Sequence, residues 1–91
     1  MTNTQRILNT LSWSEQTAIK KLFENSVQDN QLFIVASKVA DQVGVSRSVI
    51  VNALRQLKIA SLVESRSLGI KGTYIKILDP DFLSAVKALE V

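Results

Sequence analysis

Arginines at 47 and 55, serines at 46 and 48 and an asparagine at 52 are threaded through the apolar run "VGVSRSVIVNALR" of residues 43–55. At helical spacing Arg47, Val51 and Arg55 fall on one i, i+4 line, with Ser48 and Asn52 beside it. That inventory suits the major groove of duplex DNA. Arginine forks onto guanine, asparagine pairs bidentately with adenine, and valine touches a thymine methyl. Val51 is the telling residue, because a purely solvated face has little use for it. Residues nearest a helix N-terminus usually enter the groove, so Ser46, Arg47 and Ser48 are the first candidates and Asn52 the second. The plainer alternative is a solvated helix face.

A second cluster, Arg66, Ser67, Lys71, Thr73 and Lys76, surrounds glycines 69 and 72. It reads as a basic wing lying along the backbone or in the minor groove, where phosphate contacts give affinity rather than sequence choice. The alternative is an ordinary edge hairpin, guarded against strand pairing by its lysines. Ser37 and Lys38 are candidates to hold a phosphate at the start of a helix. Trp13 and Tyr74 are expected to be packing residues and not platforms for bases.

Catalytic constellations are missing. The 91 residues contain no histidine and no cysteine, which removes the commonest general base, the commonest metal ligand and any disulfide framework. No G-x-x-x-x-G-K-[ST] loop is present, and "GIKGT" is similar to one only superficially. The chain reads as a non-enzyme that holds no metal or cofactor.

Charge points the same way. The net charge of +3 is unevenly spread. Residues 36–76 hold seven lysines and arginines against Asp41 and Glu64, a net of +5, while residues 1–35 balance and residues 77–91 sum to −2. A clustered basic face is the electrostatic footprint of phosphate binding. No apolar run approaches the roughly 20 residues of a membrane helix, and the polar start does not read as a signal peptide. A cytoplasmic protein without membrane contact is expected.

Something must hold these side chains in place. "SWSE" at 12–15 has capping-box spacing, and Ala18, Ile19, Leu22 and Phe23 behind it predict a helix over 13–26. Residues 3–10 form a short helix before it, too thin in apolar content for a core of its own. "NSVQDN" is a polar loop and "QLFIV" a strand over 31–35. Ala36–Val43 is a short helix stopped by Gly44; Ser46 caps the next, which runs to about Ala60 with Ile50, Ala53, Leu54 and Leu57 inward. "LVESRS" and "TYIKIL" are strands of a hairpin. "DPD" starts a last helix, with Asp79 as cap and Pro80 at the first helical position.

Helix, strand, helix, turn, helix, hairpin, helix is the order of a winged helix-turn-helix, mainly α with a small β-hairpin. Spacing supports it. Counting Ala36 as first, the fifth position is the small Ala40 where two helices cross, and the ninth is Gly44 at the turn. Val39, Val43, Val45, Ile50 and Ala53 fall at the apolar contacts between the helices. The motif is placed at 36–60, the wing at 62–77 and the last helix at 80–90.

"VASKVADQVGVSRSVIVNALRQL" followed by "VESRSLGIKGTYIKIL" closely resembles the C-terminal DNA-binding domain of the CodY family, global repressors of low-GC Gram-positive bacteria that sense GTP and branched-chain amino acids. The likeness runs almost unbroken over residues 35–77, and "LSWSE" looks like the start of that domain, with tryptophan where tyrosine is expected. The resemblance implies an AT-rich palindromic operator read by a homodimer on double-stranded DNA, with Arg47 and Ser48 on the recognition helix and "SRSLGIKG" as the wing. It also implies that GTP and isoleucine, leucine or valine act through a GAF-type domain that these residues do not include. Residues 1–11 are then expected to be the tail of a linker helix and residues 12–91 the DNA-binding domain. Ser61 stands where the family usually has glycine, so a serine must make that turn, at up to about 1 kcal/mol if its φ is positive. "FENSVQDNQLF" diverges from the family. The rival expectation is a winged helix used for protein interaction or dimerisation.

Overall fold

The capping box at the head of the second helix closes reciprocally. Ser12 N–H donates to Glu15 Oε1 at 2.9 Å, and Glu15 N–H donates to Ser12 Oγ at 3.1 Å. The computed structural model describes residues 3–25 and 28–91. Met1 and Thr2 of the expected linker tail, and Ser26 and Val27 of the expected polar loop, lie outside the described residues. The elements are α1 (Asn3–Asn9), α2 (Trp13–Asn25), β1 (Gln31–Ile34), α3 (Ala36–Val43), α4 (Arg47–Ile59), β2 (Val63–Ser67), a 3-10 turn (Gly69–Lys71), β3 (Thr73–Ile77) and α5 (Phe82–Lys87). This is a winged helix-turn-helix.

The wing hairpin is not isolated. β3 pairs antiparallel with β2 on one side and β1 on the other, giving the order β1-β3-β2. Leu32 and Ile34 of β1, Val63 of β2, and Ile75 and Ile77 of β3 are buried on one face, as the period of two requires. α2, α4 and α5 supply the rest of the core through Ile19, Phe23, Ile50, Leu57, Phe82 and Val86. Phe23 and Phe82 meet edge to face with ring centroids 4.8 Å apart. α1 joins this same core, with Leu8 at 0 % exposure. Its Thr4 hydroxyl donates to the Asp79 carboxylate.

Turn geometry follows the sequence closely. Gly44 ends α3 at φ 84°, and Val45 N–H returns to the Ala40 carbonyl at 3.1 Å. Ala40 is buried where α3 and α4 meet, while Val39, Val43 and Val45 pack half-buried against the core. Ser61 has φ 61°. Its N–H reaches Lys58 O at 3.0 Å and Leu62 N–H reaches Leu57 O at 3.0 Å, a Schellman closure built on a serine. Asp29 and Asn30 both have positive φ and make a tight turn between Gln28 and Gln31.

Three local expectations are corrected. Ser46 holds the N-cap position of α4, but its hydroxyl makes no capping bond there and instead pairs with Ser48 Oγ at 2.9 Å. The last helix runs over Phe82–Lys87 and not over 80–90. Asp79 is taken up elsewhere, its N–H on Leu62 O at 3.2 Å and its carboxylate on Thr4, so residues 79–81 form a turn before the helix. Trp13 is not a packing residue, being 68 % exposed. It is the first residue of α2 and stands roughly 150° around the helix from the centre of the face that buries Ala18, Ile19, Leu22 and Phe23.

Candidate nucleic-acid interface

α4 is divided lengthwise. Ile50, Ala53, Leu54 and Leu57 are its buried residues, each 8 % exposed or less. That seating turns Arg47, Ser48, Val51, Asn52 and Arg55 outward, where together they line one shallow depression. Val51 is 38 % exposed in the middle of it. The core thus fixes which side of α4 faces out, and every residue read from the sequence as a base-contact candidate is there except Ser46, one position earlier. Through its contact with Ser48 the Ser46 hydroxyl is still directed to the same end of the helix. Among the described residues, none of Arg47, Arg55, Arg66 and Lys71 is engaged in an ion pair. These cations remain available to an anion.

The other candidates surround this face without lining the depression. Ser37 and Lys38 are exposed in the first turn of α3. On the hairpin, Arg66, Ser67, Lys71 and Lys76 are exposed, whereas Thr73 is half-buried on the side of β3 that carries Ile75 and Ile77. Thr73 is therefore the least accessible of the wing candidates. Ser67 and Thr73 are cross-strand partners, as are Arg66 and Tyr74. The loop between the strands closes on itself: Leu68 N–H donates to Gly72 O at 2.8 Å.

Two exposed residues were missed in the sequence. Gln56 continues the Ser48–Asn52 line by one further turn and is exposed. Phe33 is 52 % exposed on β1. Its orientation was legible, since the strand period places Phe33 opposite the inward Leu32 and Ile34. Among the described residues, no group of three or more acidic, histidine or cysteine side chains is placed to hold a metal ion, and no helix is long and apolar enough to cross a membrane.

Comparison with known proteins converges on one family. The CodY helix-turn-helix domain matches residues 32–90. Over 87 residues, 96 % of this chain, it is 53 % identical to the global transcriptional regulator CodY of Lysinibacillus sphaericus. It is 54 % identical over 86 residues to that of Exiguobacterium sibiricum and 52 % identical over 86 residues to that of Geobacillus kaustophilus, each covering 94 % of the chain. The chain spans about a third of the length of these curated relatives, 33 % in each case. With the motif helices, the turn glycine and the hairpin all inside the matched segment, the chain belongs to the CodY helix-turn-helix domain family.

Proposed function

We propose that this domain reads an AT-rich palindromic operator as a homodimer, with α4 in the major groove and the basic hairpin against the neighbouring backbone or minor groove. The coarser statement follows from family membership: it is a DNA-binding domain of a transcriptional regulator. The observation that carries the finer reading is the single exposed face of α4, which gathers two forked cations, a hydroxyl, an amide and one apolar side chain. An AT-rich site suits Asn52 and Val51, which match adenine and the thymine methyl. Arg47 and Arg55 then serve phosphates or the few G·C pairs. In this reading the protein is a cytoplasmic repressor module whose residues 1–11 end a linker helix that packs into the core of the DNA-reading unit, residues 12–91. GTP and branched-chain amino acids act elsewhere in the full-length regulator.

Fluorescence anisotropy with a labelled AT-rich palindromic duplex and a scrambled duplex of equal length tests this. The palindrome is expected to bind more tightly. Both affinities are expected to fall steeply with salt, in proportion to roughly four to six phosphates neutralised per subunit at about 0.9 per phosphate in log–log slope. Binding indifferent to salt, or absent for both duplexes, would favour the protein-interaction reading of the same fold.

A further inference from the structure

Phe33 is a half-exposed aromatic ring that the core does not use, since Leu32 and Ile34 on either side of it are the inward residues of β1. Its role shows in what it touches. Gly72 closes the wing loop with φ 128°, and a Cβ placed there would lie 2.8 Å from Phe33 Cζ, 3.1 Å from Phe33 Cε1 and 2.4 Å from the Ile34 carbonyl oxygen. The α-carbon of Gly72 therefore lies directly against the Phe33 ring and the β1 backbone, an approach that only glycine allows. The residue just before it is Lys71. The loop above this contact is tied by Leu68 N–H to Gly72 O at 2.8 Å and Gly72 N–H to Gly69 O at 3.3 Å.

Phe33 also begins a row across the outward face of the sheet. Its cross-strand partner is Tyr74, whose partner on the other side is Arg66. Opposed side chains in such pairs stand close enough to brace one another. At its other end β1 runs straight into the helix-turn-helix: Val35 is the N-cap of α3, and Val39 N–H donates to Val35 O at 3.1 Å. One short strand thus touches the wing through a ring and launches the motif helices through its backbone.

We infer that Phe33 is a positioning residue for the nucleic-acid interface: its ring buttresses the wing at Gly72 and fixes Lys71 and Arg66 relative to α3 and α4. The buttress itself is a property of the free protein. Its effect on DNA rests on the proposed function above.

Amide hydrogen exchange on the free chain is the first test, comparing wild type with Phe33→Ala, with Phe33→Thr, which keeps a residue suited to strands, and with Phe33→Tyr, which keeps the ring. The Leu68 amide is expected to exchange about tenfold faster in the Ala and Thr variants and at the wild-type rate in the Tyr variant, while the β2–β3 ladder keeps its protection. Unchanged Leu68 exchange in the Ala and Thr variants overturns the inference. Duplex affinity is the second test. Phe33→Ala is expected to weaken palindromic and scrambled duplexes alike, about three- to tenfold, and to cost less than that in a Lys71→Ala background, in which only Arg66 is left for the ring to place. Fully additive losses would show that Phe33 does not act through the wing and would equally overturn it. Should wild type bind neither duplex, the DNA reading fails by itself, and Leu68 exchange still decides whether the ring holds the wing.

Discussion

Arg47 and Lys71 carry one positive charge each, yet their settings predict different failures. Arg47 opens α4 and shares its depression with Ser48, Val51 and Asn52, whereas Lys71 stands exposed in the hairpin loop. With Arg47 on one of the few G·C pairs, its removal costs about 1–3 kcal/mol of discrimination, so Arg47→Ala is expected to lower palindrome affinity about ten- to a hundredfold and to bring it close to the scrambled value, whereas an equal loss on both duplexes would assign it to phosphate. Lys71→Ala is expected to weaken both duplexes equally and to reduce the salt slope by about one. Anisotropy at several salt concentrations reads both effects, and a loss confined to the palindrome in Lys71→Ala would contradict a backbone role for the wing. Ser61 makes a separate prediction about stability. It holds φ 61° with a side chain at a position that favours glycine. Ser61→Gly keeps both Schellman hydrogen bonds and relieves up to about 1 kcal/mol, which for a domain of this size raises Tm by about 4–8 °C. A thermal melt with no gain would mean that Ser61 sits there without strain.

At the scale of elements, what was legible in the sequence is what neighbouring residues decide. The α3–turn–α4 unit could be placed because Ala40, Gly44 and the inward face of α4 lie at fixed offsets within one short segment. Ser61 was legible only through the family resemblance, which puts a glycine at that turn, and its φ of 61° agrees with it. Distant partners were not legible. Asp79 has the spacing of a helix cap, but Thr4, 75 residues away in the chain, takes its carboxylate, and the helix begins later. Trp13 shows the opposite case: the helical period itself sets it roughly 150° from the buried face of α2, and only its residue type suggests packing. The same long-range contacts make α1 part of the domain's core. Leu8 is fully buried, and its carbonyl accepts a hydrogen bond from Gln16 Nε2 at 2.8 Å. Leu8→Ala is therefore expected to destabilise the domain by about 2–5 kcal/mol. Thr4→Val, which leaves the Asp79 carboxylate without its hydroxyl, is expected to cost about 1–2 kcal/mol. Urea unfolding checks both, and an unchanged midpoint in Leu8→Ala would mean that α1 is not anchored in the folded state.

For the whole molecule, fold and charge together decide which ligands it takes. Seven of the eleven lysines and arginines sit in the motif and hairpin segments, while the C-terminal segment after β3 is acidic on balance. Among the described residues, the depression between α1, α2 and α5 is lined by Gln5, Leu8, Asn9, Gln16, Ala85, Ala88, Leu89 and Glu90, none of them a cation and one an acid that repels a phosphate, while the nearby Lys20 ammonium donates to the Leu89 carbonyl at 2.7 Å. It offers a triphosphate nothing, and an amino-acid carboxylate no charged partner. GTP and isoleucine are accordingly expected to leave the Tm of this chain unchanged at concentrations far above those of the protein. Duplex DNA is expected to raise it, because a ligand at about 100 times its Kd adds about 2.7 kcal/mol to the folded state. Scanning the melt with each ligand separately compares the two surfaces in one measurement. A shift with isoleucine or GTP would place effector recognition within these residues and overturn the division of labour proposed here, whereas a shift with duplex alone locates the ligand surface on the basic side of the fold. The size of that shift should then decline with salt in step with the anisotropy data, since one set of phosphate contacts sets both.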